Sequence, residues 1–320
     1  MFAYLVKFFF GVIILLLSTQ IFVRLSVKLS KVFRISPLVI GMVVVSFGTT
    51  LPELSVSITS STTGNLGLAS GTIMGSTIVN FFLVLPAAIL LGDNLRIGTT
   101  KTQRSGLVLL FSVVLFLSLQ KLRIKHYVSG ALLILGVIGS NILEYKWGVI
   151  GRVQEDKPVI DLFKKEKATP DLILGIVFSV AAVTLGGLLI VTAMEDLSAI
   201  SGYSTTVLGL TLAGIATSLP DLFTAVSSQK KDEDKLTIGH IIGGSIYNLL
   251  FIGGVTNIVG GTIDISITET AFLIGAVAIF LLILRFYKGR DIPKWIGIAL
   301  LLMFFIYIYA VSFSPQSKVS

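Results

Sequence analysis

Apolar stretches long enough to cross a lipid bilayer recur ten times along this chain, at 4–23, 37–60, 67–91, 105–120, 127–143, 171–193, 203–228, 237–260, 267–284 and 293–312. A helix needs about 20 such residues to cross the hydrocarbon core, and backbone in lipid must satisfy its polar groups internally. The pattern therefore predicts an all-α polytopic protein of the cell membrane, with about ten transmembrane helices. Composition agrees, since 54% hydrophobic residues, 13% charged residues and a mean hydropathy of +0.94 do not match the balance of a water-soluble domain. The first stretch continues to Val23 with no small-residue cleavage site behind it, so it reads as a retained span rather than a removable leader.

Charge tests the count of spans. Loops should alternate between basic and non-basic, with Lys and Arg held on the cytoplasmic side. With the N-terminus outside, 20 of the 25 basic residues fall on inside loops, and the outer loops near Glu195/Asp196 and Asp264/Glu269 are acidic. Only Lys121, Arg123 and Lys125 argue the other way. The net charge of +8 thus belongs to cytoplasmic loops and calls for no nucleic-acid partner. The same reading puts Ser320 outside and the mixed-charge stretch 144–170 in the cytoplasm, as a linker between five spans in 1–143 and five in 171–320.

The two halves repeat. Laying Leu38–Ser60 over Thr206–Ser228, a shift of 168, pairs Thr49 with Thr217, Pro52 with Pro220 and Ser60 with Ser228, and sets Glu53 on Asp221. The same shift pairs Gly71 with Gly239, Gly75 with Gly243 and Asn80 with Asn248, so the repeated units are 38–85 and 206–253. Compositional bias can match Val or Gly by chance, but not Thr, Pro, acid and Asn over two helices at one offset. An odd number of spans per half makes the second half begin on the opposite side. The repeats are therefore expected to be inverted, an arrangement that places a transported substrate between them at mid-membrane.

Of 17 acidic residues, only Glu53 and Asp221 lie deep within apolar stretches. An ionisable group there costs about 2.5 kcal/mol or more, and no Lys or Arg at that depth can pair with either. Two carboxylates in one dry cavity repel unless a cation lies between them, and a divalent ion fits that need. In Gly48-Thr49-Thr50-Leu51-Pro52-Glu53 and Ala216-Thr217-Ser218-Leu219-Pro220-Asp221, each proline removes a helical donor and frees backbone oxygen beside the acid. Hydroxyls of Thr49, Thr50, Thr217, Ser218 and Ser76, with the amides of Asn80 and Asn248, complete an all-oxygen set suited to calcium. With no cysteine and only two histidines, His126 and His240, a thiolate or histidine-rich metal cage is excluded. Gly71, Gly75, Gly239, Gly243 and Gly244 are expected to let the paired helices approach closely.

GTTLPE with GTIMGSTIVN, and ATSLPD with GHIIGGSIYN, resemble the two alpha-repeats of the calcium/cation antiporter superfamily, and most of all its prokaryotic sodium/calcium exchanger branch. The resemblance implies calcium exchange for sodium by alternating access. It makes Glu53 and Asp221 the main calcium ligands, and has Thr49, Thr50, Thr217, Ser218, Ser76 and Asn80 ligate calcium or sodium. This sequence departs from the family pattern in four ways. Asp221 replaces Glu, Gly244 stands in place of a ligand Ser, His240 and Thr72 replace Asn, and Asn248 stands where an Asp is common. Ser245 points about 100° away from Gly244 on a helix, an imperfect substitute.

Calcium/proton exchange stays open beside calcium/sodium exchange, with His240 expected near the entrance as an interfacial histidine whose hydrogen bonds are satisfied. A cation channel is disfavoured by inverted repeats with broken helices. No Ser–His or HExxH constellation points to an enzyme, no cofactor beyond the transported Ca2+ and Na+ is expected, and the two halves suffice for a monomer.

Overall fold

The computed structural model describes residues 2–32, 49–92, 95–96, 100–122, 124–150, 170–229 and 234–313. Nearly all of this is helix, and among the described residues the only extended pairing is an isolated bridge between Arg96 and Asp291. The elements are α1 (Phe2–Val32), α2 (Leu51–Thr62), α3 (Leu66–Val79), α4 (Leu85–Leu91), α5 (Thr100–Lys121), α6 (His126–Ile150) and α7 (Pro170–Ser201) in the first part of the chain. They continue as α8 (Thr205–Leu208), α9 (Gly214–Thr217), α10 (Leu219–Gln229), α11 (Asp234–Ile246), α12 (Gly253–Gly260), α13 (Ile267–Phe286) and α14 (Lys294–Ser312). Three π-helical segments, Asn80–Val84, Gly209–Ala213 and Tyr247–Ile252, join α3 to α4, α8 to α9 and α11 to α12.

Eight of the described spans are long and apolar enough to cross a membrane, and a ninth forms if Thr205–Thr217 and Leu219–Val226, bent by 40°, count as one. The span expected at 37–60 is described only from Thr49 onward; its first part, Gly48 included, lies outside the described residues. Helix α6 runs on to Ile150, so residues 144–150, assigned to the linker by sequence, are helical, while 151–169 and Ser320 lie outside the described residues. Large apolar side chains such as Phe9, Phe111, Phe178 and Phe305 face outward, as expected where the surroundings are lipid rather than water.

Helix starts repeat at the offset seen in the sequence. Residues 51 and 219, 85 and 253, and 126 and 294 each begin equivalent elements 168 apart, and the π segments that begin at 80 and 247 differ by one. The equivalent helices α1 and α7 pack along their lengths in opposite directions. Lys7 meets Asp196 at 3.0 Å, Gly11 faces Leu189, Gly186 faces Leu15, and Gly175 faces Leu25. This antiparallel seam is the relation that inverted halves require. It is tight, because a Cβ on Gly186 would stand 2.8 Å from the backbone nitrogen of Leu15.

Two apolar cores result. The larger joins α3–α6 to α11–α14 through Ile73, Phe81, Phe116, Leu250 and Phe280, and the smaller joins α1 and α7 to α2, α3, α8 and α9 through Leu15, Val56, Leu68, Ile190 and Ala213. Between them α3 lies against α8 and α9 with almost no side chain intervening. A Cβ on Gly75 would come within 2.6 Å of the Leu210 carbonyl, and one on Gly209 within 2.7 Å of the Leu68 carbonyl. Gly239, equivalent to Gly71, has nothing among the described residues within 4 Å of such a Cβ.

Candidate ion-binding site

Both acidic motifs take up the same local form. Thr50 and Ser218 have ψ of 1° and 2°, which breaks the helix and starts a new half-helix with the proline as its second residue and the acid as its third. Proline is tolerated there because first-turn N–H groups lack helical partners anyway. The prolines thus sit at the start of new half-helices instead of deforming helix interiors. The carboxylates of Glu53 and Asp221 then lie at helix N-termini, where the aligned peptide dipoles favour negative charge.

The second helix of each motif brings the amides. Asn80 opens one π segment and Asn248 is the second residue of another. Such turns widen the helix and leave backbone carbonyls displaced from regular bonding. In the third π segment one such oxygen, that of Leu210, is recovered by the Tyr307 hydroxyl, which donates to it at 2.8 Å.

These elements converge on a buried polar centre between the halves. Glu53, Ser76, Asn80, Thr217, Ser218, Asp221 and Asn248 are all buried, as are Thr49 and Thr50 at the break before α2. The hydroxyls of Ser76 and Thr217, from opposite halves, are 3.0 Å apart, and Thr217 also donates to the Ala213 carbonyl at 2.9 Å. Glu53 lies within electrostatic reach of both Asp221 and Thr217. Asn80 and Asp221 meet over Gly244, where a Cβ would stand 3.4 Å from Asn80 Nδ2 and 3.5 Å from Asp221 Oδ2. Asn248 is buried on the π segment that packs against α2 and α3.

What distinguishes this centre is unspent hydrogen-bonding capacity. Both oxygens of Glu53, the whole amides of Asn80 and Asn248, and the Ser218 hydroxyl have no hydrogen-bond partner. Buried polar groups are normally bonded, so these unbonded oxygens are the groups here that could hold a cation beside the two carboxylates. Among the described residues no three His, Cys, Asp or Glu side chains gather as a metal-binding group. A bound ion would therefore depend on hydroxyl, amide and backbone oxygen beside the acids.

His240 differs from the sequence expectation. Far from an interfacial position, it is buried, with Nε2 3.1 Å from Asp221 Oδ1, close enough to pair electrostatically though not aligned as a hydrogen bond. Helical spacing held the signal, since His240, Gly244 and Asn248 follow one another at four-residue intervals and so share a face. Ser245 donates to the Ile241 carbonyl at 2.8 Å and Thr72 to that of Leu68 at 2.8 Å, so both hydroxyls are committed to their own helices.

Comparison with known proteins places this geometry. CaxA of Alkalimonas amylolytica is 31% identical over 313 residues, covering 93% of this chain and 95% of its own. The sodium/calcium exchanger MaX1 of Methanosarcina acetivorans is 25% identical over 343 residues, covering 95% and 96%. A solved structure of the sodium-calcium exchanger NCX_Mj, soaked with Na+ and Sr2+, shares the fold with a TM-score of 0.60 at 22% identity, over 97% of this chain and 98% of that one. The sodium/calcium exchanger protein family matches twice, at residues 3–142 and 172–313, once in each half of the duplicated architecture. The chain is a multi-pass membrane protein that belongs to the sodium/calcium exchanger family.

Proposed function

We propose that this protein is a secondary active antiporter that carries calcium across the membrane in exchange for sodium, by alternating access at the Glu53/Asp221 centre. One observation carries the reading. Two carboxylates stand at the N-termini of facing half-helices, ringed by amide and hydroxyl oxygens that the protein leaves unbonded. A divalent ion neutralises the pair and takes up the free oxygens, and several sodium ions can do the same in its place. The name of the relative MaX1 supports sodium as the counter-ion. No catalytic residue or resident cofactor enters this reading, and a single chain supplies both halves of the site.

A second reading rests on His240. An imidazole 3.1 Å from Asp221 can carry the positive charge that otherwise comes from a cation, which would couple calcium to protons. Calcium uptake into vesicles separates the two. Under sodium coupling an imposed sodium gradient drives uptake and a pH gradient alone does not; under proton coupling the reverse holds. Calcium that runs down its own gradient with neither counter-ion would identify a channel and remove both readings.

A further inference from the structure

Buried hydroxyls in these helices are largely spent on their own backbone. Ser60, Ser61, Thr77, Ser112 and Ser245 each donate to the carbonyl four residues back. Ser57 and Thr256 are fully buried as well, yet neither hydroxyl has a partner. Ser57 follows Glu53 by four residues on α2 and shares its face, while Thr256 lies about two turns beyond Asn248 on α12. Helix α12 and the π segment before it pack against α2. Gly260 lies against Ser61, where a Cβ would stand 2.7 Å from the serine Cβ, so the two elements run side by side from the carboxylate centre outward.

The equivalent contact recurs in the other half. Gly92 lies against Gln229 as Gly260 lies against Ser61, and α10 packs against α4. There the positions equivalent to Ser57 and Thr256 are Ala225 and Ala88, both fully buried. Charged groups of both signs stand at each end. At the Ser61 end, Asn65 donates to Glu195 at 3.4 Å, Ser70 donates to the Asp264 carbonyl at 3.3 Å, and His126, next to Lys125, lies 2.9 Å from the Asn257 carbonyl. At the Gln229 end, Gln229 donates to Asp234 at 2.9 Å and Arg96 donates to the Gly289 carbonyl at 3.1 Å, among Lys288, Arg290 and Lys294. The two halves therefore differ here in their buried hydroxyls rather than in the sign of charge at their ends.

We propose that cations reach Glu53 from the Ser61 end between α2 and α12, with the hydroxyl oxygens of Ser57 and Thr256 as successive ligands that replace lost water, while Ala225 and Ala88 keep the equivalent path in the other half dry. Neutral oxygens suit this role because they bind an ion strongly enough to admit it and weakly enough to pass it on. The inference rests on the antiporter reading, and the test separates the two.

Radiolabelled calcium–calcium exchange needs no counter-ion and is measured in right-side-out and inside-out vesicles, varying calcium at one face with the other saturated. A Thr63→Cys label, in a chain without cysteine, marks which face bears the Ser61 end. Ser57→Ala with Thr256→Val should slow exchange at low calcium on that face by about 3- to 10-fold, the worth of one hydrogen-bond-strength contact, and leave the opposite face unchanged. Ser57→Thr and Thr256→Ser, which keep the hydroxyls, should behave as wild type. Equal effects at both faces, no effect at either, or an equal loss in the hydroxyl-retaining variants would overturn the passage. A wild-type chain that exchanges no calcium would instead sink the antiporter reading and the passage with it.

Discussion

Glu53 and Asp221 hold equivalent places, each third in a half-helix that follows a break, yet their surroundings differ. Among the described residues, neither oxygen of Glu53 has a hydrogen-bond partner, and no imidazole stands beside it in an ion pair. Asp221 is one methylene shorter, faces the bare Gly244, and has the His240 nitrogen 3.1 Å from Oδ1. The same backbone thus presents a free carboxylate on one side and a partly engaged one on the other. The difference teaches that duplication fixes where the acids stand, while single side chains around them fix how available each is to an ion.

The largest test of this comparison is removal of each charge. Glu53→Gln should cut calcium exchange by about 100-fold, the loss of a charge-assisted contact of about 3 kcal/mol, with insertion in the membrane intact. Asp221→Asn should also impair exchange, but less, because the shorter Asp221 already has the His240 nitrogen 3.1 Å from one of its two oxygens. Equal losses would erase the asymmetry, and near-normal exchange in either variant would remove the site. Next, His240→Asn should free Asp221 and lower the half-saturating calcium concentration by about 3- to 10-fold; a pH dependence of exchange that vanishes in this variant would turn the reading toward protons. Gly244→Ser has room for its Cβ at 3.4 Å and 3.5 Å from its neighbours, and by restoring a hydroxyl should strengthen sodium dependence by about 3-fold. Smallest of all, Ser245→Ala should change exchange by less than about 2-fold, since that hydroxyl serves the Ile241 carbonyl. A larger effect would show that it turns toward the ion during transport.

Much of this was legible in the sequence because membrane helices and gene duplication both leave periodic marks. Span positions followed from apolar length, and the offset of 168 recurs in the helix starts themselves. Glu53 and Asp221 stood out because charge in an apolar stretch is costly. Other features left no such mark. The π segments follow from bonding choices that no residue pattern announces, and the role of the prolines as second residues of half-helices depends on breaks at Thr50 and Ser218. His240 went astray because hydropathy places a residue along a span but not around it. Ser57 was passed over because a lone serine in a membrane helix is ordinary until its missing partner is seen.

The two routes to the carboxylates also set apart what evolution could tune freely from what it could not. Hydroxyls that ease an ion into the centre from the Ser61 end ease its departure through the same end by an equal factor, since both crossings share one barrier. Replacing them, or adding their like beside Ala225 and Ala88, would alter how fast each face equilibrates with the centre. It would leave the balance point of exchange untouched, because that point depends only on the ion gradients, the membrane voltage and the number of ions the centre trades. A chain with unlike doorways and one shared room can thus be adjusted in speed at either face while the concentration ratio it can sustain stays the same.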